Sequence, residues 1–182
     1  FNRGPDHQAA VRFSQGDTHV VLLASRLSII DLDDRSNQPF SIGDWTIVYN
    51  GEIYNYLELR QELKDRGVVF RTDSDTEVLL QSYIHWGEDC VQRFEGMWAF
   101  AIFNQRSGLL FLSRDRFGEK PLYYMETNEG FYFASQTSIL RQLCGREFTI
   151  NDQQVLRYLV NGYKSLYKGN ETFFLGVEEV PF

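Results

Sequence analysis

Residues 97–115, MWAFAIFNQRSGLLFLSRD, contain two apolar runs separated by four turn-forming residues. Apolar side chains at almost every position predict strands that are covered on both faces. The QRSG segment is short enough to join the two strands as an antiparallel hairpin. Antiparallel strands with two covered faces predict an α+β fold, in which antiparallel sheets pack together and helices lie outside them.

Other segments also have strand character, and two of them form a second predicted hairpin. PLYYMET (121–127) and GFYFAS (130–135) flank a turn at Asn128-Glu129-Gly130. The remaining predicted strands are continuous apolar runs: VVLLAS (20–25), WTIVY (45–49) and the short VVF (68–70).

Capping signals and the spacing of apolar residues predict the helices. Asn55 is a candidate N-cap, and Gly67 follows the last turn of the same helix. Ser74 and Glu77 have the spacing of a capping box, and Gly87 ends that helix. The predicted helices cover 55–66, 75–86, about 136–143 and 152–161, with a short helix at 88–93.

Length and composition restrict the function. The 182 residues suffice for one domain with a sizeable core. The net charge of −7 argues against nucleic acid and against an anionic membrane surface as partners. No apolar run has the length of a membrane-spanning helix, and the two cysteines suggest a reducing, cytoplasmic location. His7, His19 and His85 are far apart, so no metal site is predicted.

The stretch VYNGEIYNYLEL (48–59) contains an unexpected turn signal. Asn50-Gly51 is a strong two-residue hairpin signal, yet a helical pattern follows it instead of a second strand. We therefore expect a tight corner between a buried strand and a helix. This corner is either a plain turn or a place where amide groups face a ligand.

Polar residues at predicted element ends suggest what that ligand is. Arg26 joins two apolar runs, Asn50, Gly51 and Glu52 follow a strand, and Asp75 lies in the first turn of a helix. Each has an ordinary structural explanation: a surface position, a turn, or a favourable interaction with the helix dipole. Together they suit a free amino acid. Arginine binds a carboxylate, aspartate binds an ammonium group, and an amide corner stabilises an oxyanion.

Six motifs carry a resemblance to a known family, the class II glutamine amidotransferase domain of glutamine-hydrolysing asparagine synthetase. The resemblance covers almost the whole chain, and we assign residues 1–182 to this one domain. The motifs occur in the family's order: NRGPD (2–6), RLSIIDL (26–32), YNGEIYN (49–55), SDTE (74–77), GMWAFAIFN (96–104) and RDRFGEKPLYY (114–124).

The resemblance implies an N-terminal-nucleophile hydrolase-like, four-layer sandwich with two antiparallel sheets between helical layers. It implies that Arg26 holds the α-carboxylate of L-glutamine, and that Asn50 and Gly51 form the oxyanion hole. Glu52 and Asp75 would bind the α-amino group and its surroundings. The pocket would also be lined by the backbone after Arg26, at Leu27, Ser28, Ile29 and Ile30.

Two elements of such an enzyme are expected outside these residues. The family's nucleophile is an N-terminal cysteine upstream of the NRGPD motif, and Cys90 and Cys144 have helical contexts that do not suit this role. The second element is a C-terminal synthetase domain that uses ATP and Mg²⁺ to amidate aspartate. We therefore interpret the chain as a fragment that is inactive alone. Three points stay open. The ammonia acceptor could be a molecule other than aspartate, the domain could be a catalytically dead glutamine-binding module, and the protein could form a homodimer.

Overall fold

The computed structural model describes residues 4, 6–27, 30–31, 33–162 and 169–181. These residues contain nine strands and four α-helices, with 3₁₀ turns at Asp34–Ser36 and Gly87–Arg93. The strands are β1 (His7–Gln15), β2 (Thr18–Arg26), β3 (Phe40–Ile42), β4 (Trp45–Ile53), β5 (Gly96–Asn104), β6 (Leu110–Arg114), β7 (Tyr123–Thr127), β8 (Gly130–Ala134) and β9 (Glu178–Glu179). The helices are α1 (Tyr56–Asp65), α2 (Asp75–Trp86), α3 (Thr137–Cys144) and α4 (Asp152–Asn161).

Every strand pairing is antiparallel. The central sheet has the order β3-β4-β5-β6, and β4 pairs with β5 along its whole length. Two smaller sheets, β1-β2 and β8-β7-β9, complete the β structure of the described residues. These pairings confirm the α+β class and both hairpins predicted from the sequence.

The outer face of the central sheet packs on α1 and α2. Ile47, Phe100 and Ile102 point to this side and are almost completely buried. They meet Leu63 of α1 and Leu79 of α2, so the helices gain their stability from an apolar core and not from local propensity alone.

The inner face of the central sheet packs against the two smaller sheets. The rings of Phe13 in β1 and Phe103 in β5 lie 5.2 Å apart. Ala99 forms a second buried cluster with Leu122 and Val180, next to β7 and β8. Helix α3 then covers β7 and β8 from outside through the buried Leu140. The order helix, sheet, sheet, helix is the four-layer arrangement expected from the resemblance.

Several local expectations were wrong. Residues 68–70 form no strand, because the chain is there a connection between α1 and α2. VVLLAS is not buried on both faces: Val21 and Leu23 are 48% and 52% exposed, since only one face of β2 is covered within the described residues. Phe111, in a strand predicted to be covered on both faces, packs against the core but is only half-buried, because β6 is the last strand of the central sheet.

Of the two predicted N-caps, the one at Ser74 is confirmed and the one at Asn55 is wrong. Ser74 does cap α2, because its hydroxyl accepts a hydrogen bond from Thr76 N. Glu77 does not complete the capping box; its carboxylate binds the backbone N–H groups of Arg71 and Thr72. Asn55 precedes α1, but its side chain binds the segment before β5 instead. None of the described helices is long and apolar enough to cross a membrane.

Candidate functional site

The candidate site begins at the free edge of β4, beyond the end of β3. In an antiparallel pair, successive residues point their N–H groups alternately to the two neighbours. Tyr49, Gly51 and Ile53 therefore point away from β5. Tyr49 N donates to Gln38 Oε1 over 2.6 Å, and Ile53 N donates to Asp75 Oδ2 over 3.2 Å. Between them, the Gly51 N–H has no acceptor among the described residues, so it is available to a ligand.

Asn50 and Gly51 do not form the expected corner. Both lie inside β4, which continues to Ile53, and the chain turns only at Tyr54 and Asn55. Glycine is required here by the close approach of β5. A Cβ atom on Gly51 would lie 2.2 Å from Met97 O and 2.7 Å from Trp98 Cα. The Asn-Gly pair thus serves strand pairing and not a hairpin turn.

Asn50 and Glu52 project to the other face of β4, towards the space between the sheets. They pair with Ala99 and Met97 of β5. Asn50 is exposed, and its amide has no hydrogen-bond partner in the part of the chain that the structure describes. An amide donor and the free N–H of Gly51 are therefore adjacent and both uncommitted. This is the donor pair that the resemblance assigns to an oxyanion hole.

Asp75 closes the same edge from the first turn of α2. It is buried, and its Oδ2 accepts hydrogen bonds from the Tyr49 hydroxyl at 3.0 Å and from Ile53 N. Burial raises the pKa of the Asp75 carboxyl, although these donors partly oppose the shift. Burial and the charge of Asp75 also raise the pKa of Tyr49 well above its ordinary value, so Tyr49 remains a proton donor.

Arg26 lies at the end of β2, and its guanidinium is held by the segment that follows. Nη1 donates to Asn37 Oδ1 at 2.9 Å, and Nη2 donates to the carbonyl oxygens of Ile30 and Asp31 at 3.0 and 2.5 Å. Three of the five guanidinium N–H groups are thus committed. The Nε–H and one Nη1–H have no acceptor among the described residues and are available to a carboxylate.

Segment 30–38, of which the structure describes residues 30–31 and 33–38, links Arg26 to the residues just before Asp75. Asp31 Oδ2 accepts a hydrogen bond from Asp73 N at 2.8 Å, two residues before Asp75. Asn37, which binds Arg26, precedes Gln38, which binds Tyr49 N. These contacts link the end of β2, which carries Arg26, to β4 and to the residues just before Asp75. That Arg26, Asn50, Gly51, Glu52 and Asp75 line one cleft stays a prediction.

The carboxylate of Asp31 is the organising group of this segment. Burial raises its pKa, but hydrogen bonds from Ser36 Oγ, Asp73 N and Asp33 N outweigh burial and bring the pKa below the ordinary value of 3.8. Asp31 also has a positive φ of 54°, which aspartate tolerates better than most residues. Sequence reasoning missed Asp31, Gln38 and Tyr49. Asp31 and Tyr49 lie within the RLSIIDL and YNGEIYN motifs, but nothing local in the sequence indicates the hydrogen bonds that they make.

The other predicted lining residues are less informative. Leu27 is 60% exposed, and Ile30 contributes its carbonyl oxygen to Arg26. Ser28 and Ile29 lie outside the described residues. Among those that are described, no group of three or more His, Cys, Asp or Glu side chains is placed to hold a metal ion.

The two cysteines lie away from the Gly51 edge. Cys90 is fully buried in the core between the central sheet and α2, and burial raises the pKa of its thiol to about 12. Cys144 ends α3 in a separate core, and burial raises its pKa as well. Both are free thiols with little thiolate at neutral pH.

Comparison with solved structures defines the class of fold. The chain is similar to the glutamine phosphoribosylpyrophosphate amidotransferase from B. subtilis complexed with ADP and GMP. The TM-score is 0.51 at 24% identity, over 62% of this chain and 27% of that one. The likeness confirms the N-terminal-nucleophile hydrolase-like fold.

Sequence comparison then identifies the family: the chain belongs to the glutamine amidotransferase domain family, whose model matches residues 1–182. It is 43% identical to glutamine-hydrolysing asparagine synthetase 1 of Bacillus subtilis, over 87% of this chain and 24% of the relative. It is 36% identical to putative glutamine-hydrolysing asparagine synthetase 2 of Methanocaldococcus jannaschii, over 92% of this chain and 36% of the relative. The chain therefore spans about a quarter to a third of the length of these relatives.

Proposed function

We propose that this domain hydrolyses L-glutamine to glutamate and ammonia, as the glutaminase part of an asparagine synthetase-type enzyme. One observation carries the proposal: the uncommitted Gly51 N–H and Asn50 amide lie side by side at a strand edge that Asp75 closes. Arg26 is linked to the same edge through segment 30–38. This set matches the charges and the polar carbonyl of glutamine.

Each group has a distinct role in the proposed reaction. The N–H groups of Arg26 that have no acceptor among the described residues bind the α-carboxylate, and ionised Asp75 attracts the α-ammonium group. Glu52 adds negative charge beside that ammonium group. The side chain of the substrate then extends towards the donors of Asn50 and Gly51.

Hydrolysis proceeds through a thioester. A cysteine thiolate attacks the carboxamide carbon, and the developing oxyanion accepts hydrogen bonds from the Asn50 amide and Gly51 N–H. The amide nitrogen receives the proton that the base took from the thiol, the carbon–nitrogen bond breaks and ammonia leaves. Water then hydrolyses the thioester to glutamate and regenerates the thiol. Cys90 and Cys144 are buried with raised pKa values, so we assign the nucleophile to the N-terminal cysteine of the parent protein. Its α-amino group acts as the base.

The ammonia is proposed to pass to a C-terminal synthetase domain of the same protein. The names of the relatives and their greater length support this assignment. There ATP and Mg²⁺ would activate the carboxylate of aspartate for amidation. An amidotransferase with another acceptor would have the same glutaminase site, and assays with alternative acceptors separate the two.

Glutamine binding and ammonia release in the full-length protein test the proposal. Asp75→Asn should weaken glutamine binding by roughly 1.5–3 kcal/mol, because one charge-assisted contact is lost. Asp17→Asn, in the exposed turn between β1 and β2, is the matched control and should leave glutamine binding and ammonia release unchanged. If the wild-type protein binds glutamine but releases no ammonia, the domain is a glutamine-binding module instead. Absence of binding would contradict the site itself.

A further inference from the structure

A second pocket, of about 400 Å³, lies between α1 and the segment that precedes α2. Four cationic side chains line it, from Arg35, Arg60, Lys64 and Arg71, against the single carboxylate of Asp73. The whole chain has a net charge of −7, so this concentration of cations is unusual for the molecule. None of the four has a role in the proposed glutamine reaction.

Arg60 gives the pocket a fixed cationic wall. Its side chain is only 9% exposed, its Nη2 donates to Thr72 O at 2.6 Å, and its guanidinium lies 4.5 Å from the centre of the Phe70 ring. Its carboxylate neighbour, Asp73, is 3.4 Å away and 92% exposed. A buried guanidinium held in place, with only a loose and solvated counter-charge, is a preorganised anion-binding group.

The neighbouring cations also have capacity to bind an anion. Lys64 has no carboxylate within 4.0 Å among the described residues. Arg71 Nε lies 3.9 Å from Glu77, whose oxygens already accept from Arg71 N, Thr72 N and Thr72 Oγ1. Its Nη2 donates to Ser41 O at 2.7 Å, so only the rest of the guanidinium is available to an anion. Arg35 binds Asp33, which does not line the pocket.

We propose that this pocket binds a phosphate-type oxyanion, either free or carried by a small metabolite. Guanidinium groups bind phosphate oxygens through paired hydrogen bonds, and the lysine adds a point charge. A phosphate group has enough charge and enough acceptor oxygens for several of these cations at once. A monocarboxylate would leave most of them without a partner.

The position of the pocket connects it to the proposed glutamine site. Arg35 Nη1 donates to Arg71 O at 3.2 Å, and Asp73 N donates to Asp31 Oδ2 at 2.8 Å. Segment 30–38 is thus fastened to the pocket wall on one side and to Arg26 on the other. A bound oxyanion that bridges Arg35 and Arg60 would hold this segment in the conformation that positions Arg26.

Reactivity of Lys64 in the full-length protein tests the binding. Acetylation of individual lysines is measured by peptide mass spectrometry with and without pyrophosphate, inorganic phosphate or AMP. Lys64 should be protected at about 1 mM pyrophosphate or below, and Lys120 should not change. If AMP protects Lys64 more strongly than inorganic phosphate does, the phosphate that binds here is carried by a metabolite. Equal protection by sodium chloride at the same ionic strength, or no protection, would overturn the proposal.

Two exposed positions supply the variants. Arg35→Gln should abolish the protection of Lys64, whereas Arg146→Gln, which removes an exposed cation elsewhere, should preserve it. Neither change removes a buried side chain, so the fold should survive, as circular dichroism would verify. Protection that persists in Arg35→Gln would exclude the assigned site.

The link to glutamine rests on the proposed function and is measured separately. Pyrophosphate should lower the glutamine KM of the wild type by about fivefold and leave that of Arg35→Gln unchanged, as expected for ordinary coupling between two sites. If pyrophosphate protects Lys64 but leaves the glutamine KM unchanged, the proposed coupling is wrong and the oxyanion site is still supported. Because the Lys64 measurement needs no glutamine, its failure is distinguishable from failure of the glutaminase assignment.

Discussion

The Tyr49 hydroxyl donates a hydrogen bond to Asp75 Oδ2 over 3.0 Å and joins strand β4 to the first turn of α2. The same oxygen accepts Ile53 N, so one carboxylate oxygen is fully used in holding the strand edge. The carboxylate also accepts a hydrogen bond from the backbone N–H of Thr76, so what it offers a ligand is mainly its negative charge. Tyr49 therefore positions Asp75 without contacting the substrate in our proposal.

Replacement of Tyr49 by phenylalanine tests this positioning role. The variant removes one donor to the carboxylate, which raises the pKa of Asp75 further and lets the side chain turn. We expect the glutamine KM to rise about tenfold with little change in kcat, since the group acts on binding. Tyr54→Phe, at an exposed neighbouring position, should behave like the wild type. A fall in kcat at constant KM would contradict the role.

The raised pKa of Asp75 predicts an unusual dependence of stability on pH. The folded state binds a proton on Asp75 more readily than the unfolded state, because burial disfavours the charged form. The free energy of unfolding should therefore fall as pH rises from the ordinary value of 3.8 through the raised pKa. Asp75→Asn removes this contribution. Urea unfolding is measured at several pH values. The free energy of unfolding of the variant should rise relative to that of the wild type as pH rises.

Glutamine binding should depend on pH in the opposite direction to stability, becoming stronger as pH rises. Only ionised Asp75 attracts the ammonium group, so binding by the wild type should weaken as pH falls through the raised pKa. A pH profile of binding that has no acidic limb above pH 3.8 would contradict the assignment of Asp75. Asp17→Asn again serves as the control for general charge effects.

The sequence predicted the fold where the apolar pattern alone decides the structure. Both hairpins, the class and all four α-helices followed from apolar spacing and turn residues. Strand β1 was missed because HQAAVRFSQ has few apolar residues, and its stability comes from pairing with β2. VVF has strand-forming residues, but no strand in the described part of the chain pairs with it.

The site was predicted less completely, for a physical reason. The types of its charged residues are visible in the sequence, but the contacts that join them are not. The local hairpin signal of Asn50-Gly51 was overridden by pairing with β5, which requires a residue without Cβ. Gln38 and Asp31 hold the site through long-range hydrogen bonds that no local pattern indicates.

Gly51→Ala should destabilise the domain strongly. The new methyl carbon would lie 2.2 Å from a backbone oxygen of β5, and backbone atoms cannot yield as a flexible side chain would. We expect a loss of about 3 kcal/mol or more in the free energy of unfolding. Gly43→Ala is the control: it has a positive φ of 57° but nothing within 4 Å, so it should cost only about 1 kcal/mol. Equal losses would show that backbone conformation, and not the approach of β5, requires Gly51.

Asn50→Ala should affect the chemical step of glutamine hydrolysis. Loss of one oxyanion donor should lower kcat by about 10²–10³, whereas glutamine affinity should change much less. Synthesis driven by free ammonia should survive, because that reaction bypasses the glutamine site. Asn128→Ala, in the exposed turn between β7 and β8, is the matched control. Equal loss of the glutamine and ammonia reactions would indicate a folding defect instead of an oxyanion role.

Cys90 and Cys144 should both be dispensable for glutamine hydrolysis. A nucleophilic thiol must ionise and must reach the carbonyl beside Asn50 and Gly51. Cys90 is enclosed in a core with a pKa of about 12, and Cys144 ends a helix in another core. In the full-length protein, changing both to alanine should therefore leave kcat close to that of the wild type, despite a modest loss of stability from the vacated core volume.

The same argument predicts that the 182-residue chain alone releases no ammonia from glutamine. It contains the proposed oxyanion donors and the charged groups for the substrate, but neither of its thiols can act as the nucleophile. Ammonia release is measured for this chain, for the full-length protein and for full-length protein whose N-terminal cysteine is changed to alanine. Only the unaltered full-length protein should be active. Activity of the 182-residue chain that persists after both Cys90 and Cys144 are replaced would mean that the nucleophile is a residue we have not assigned.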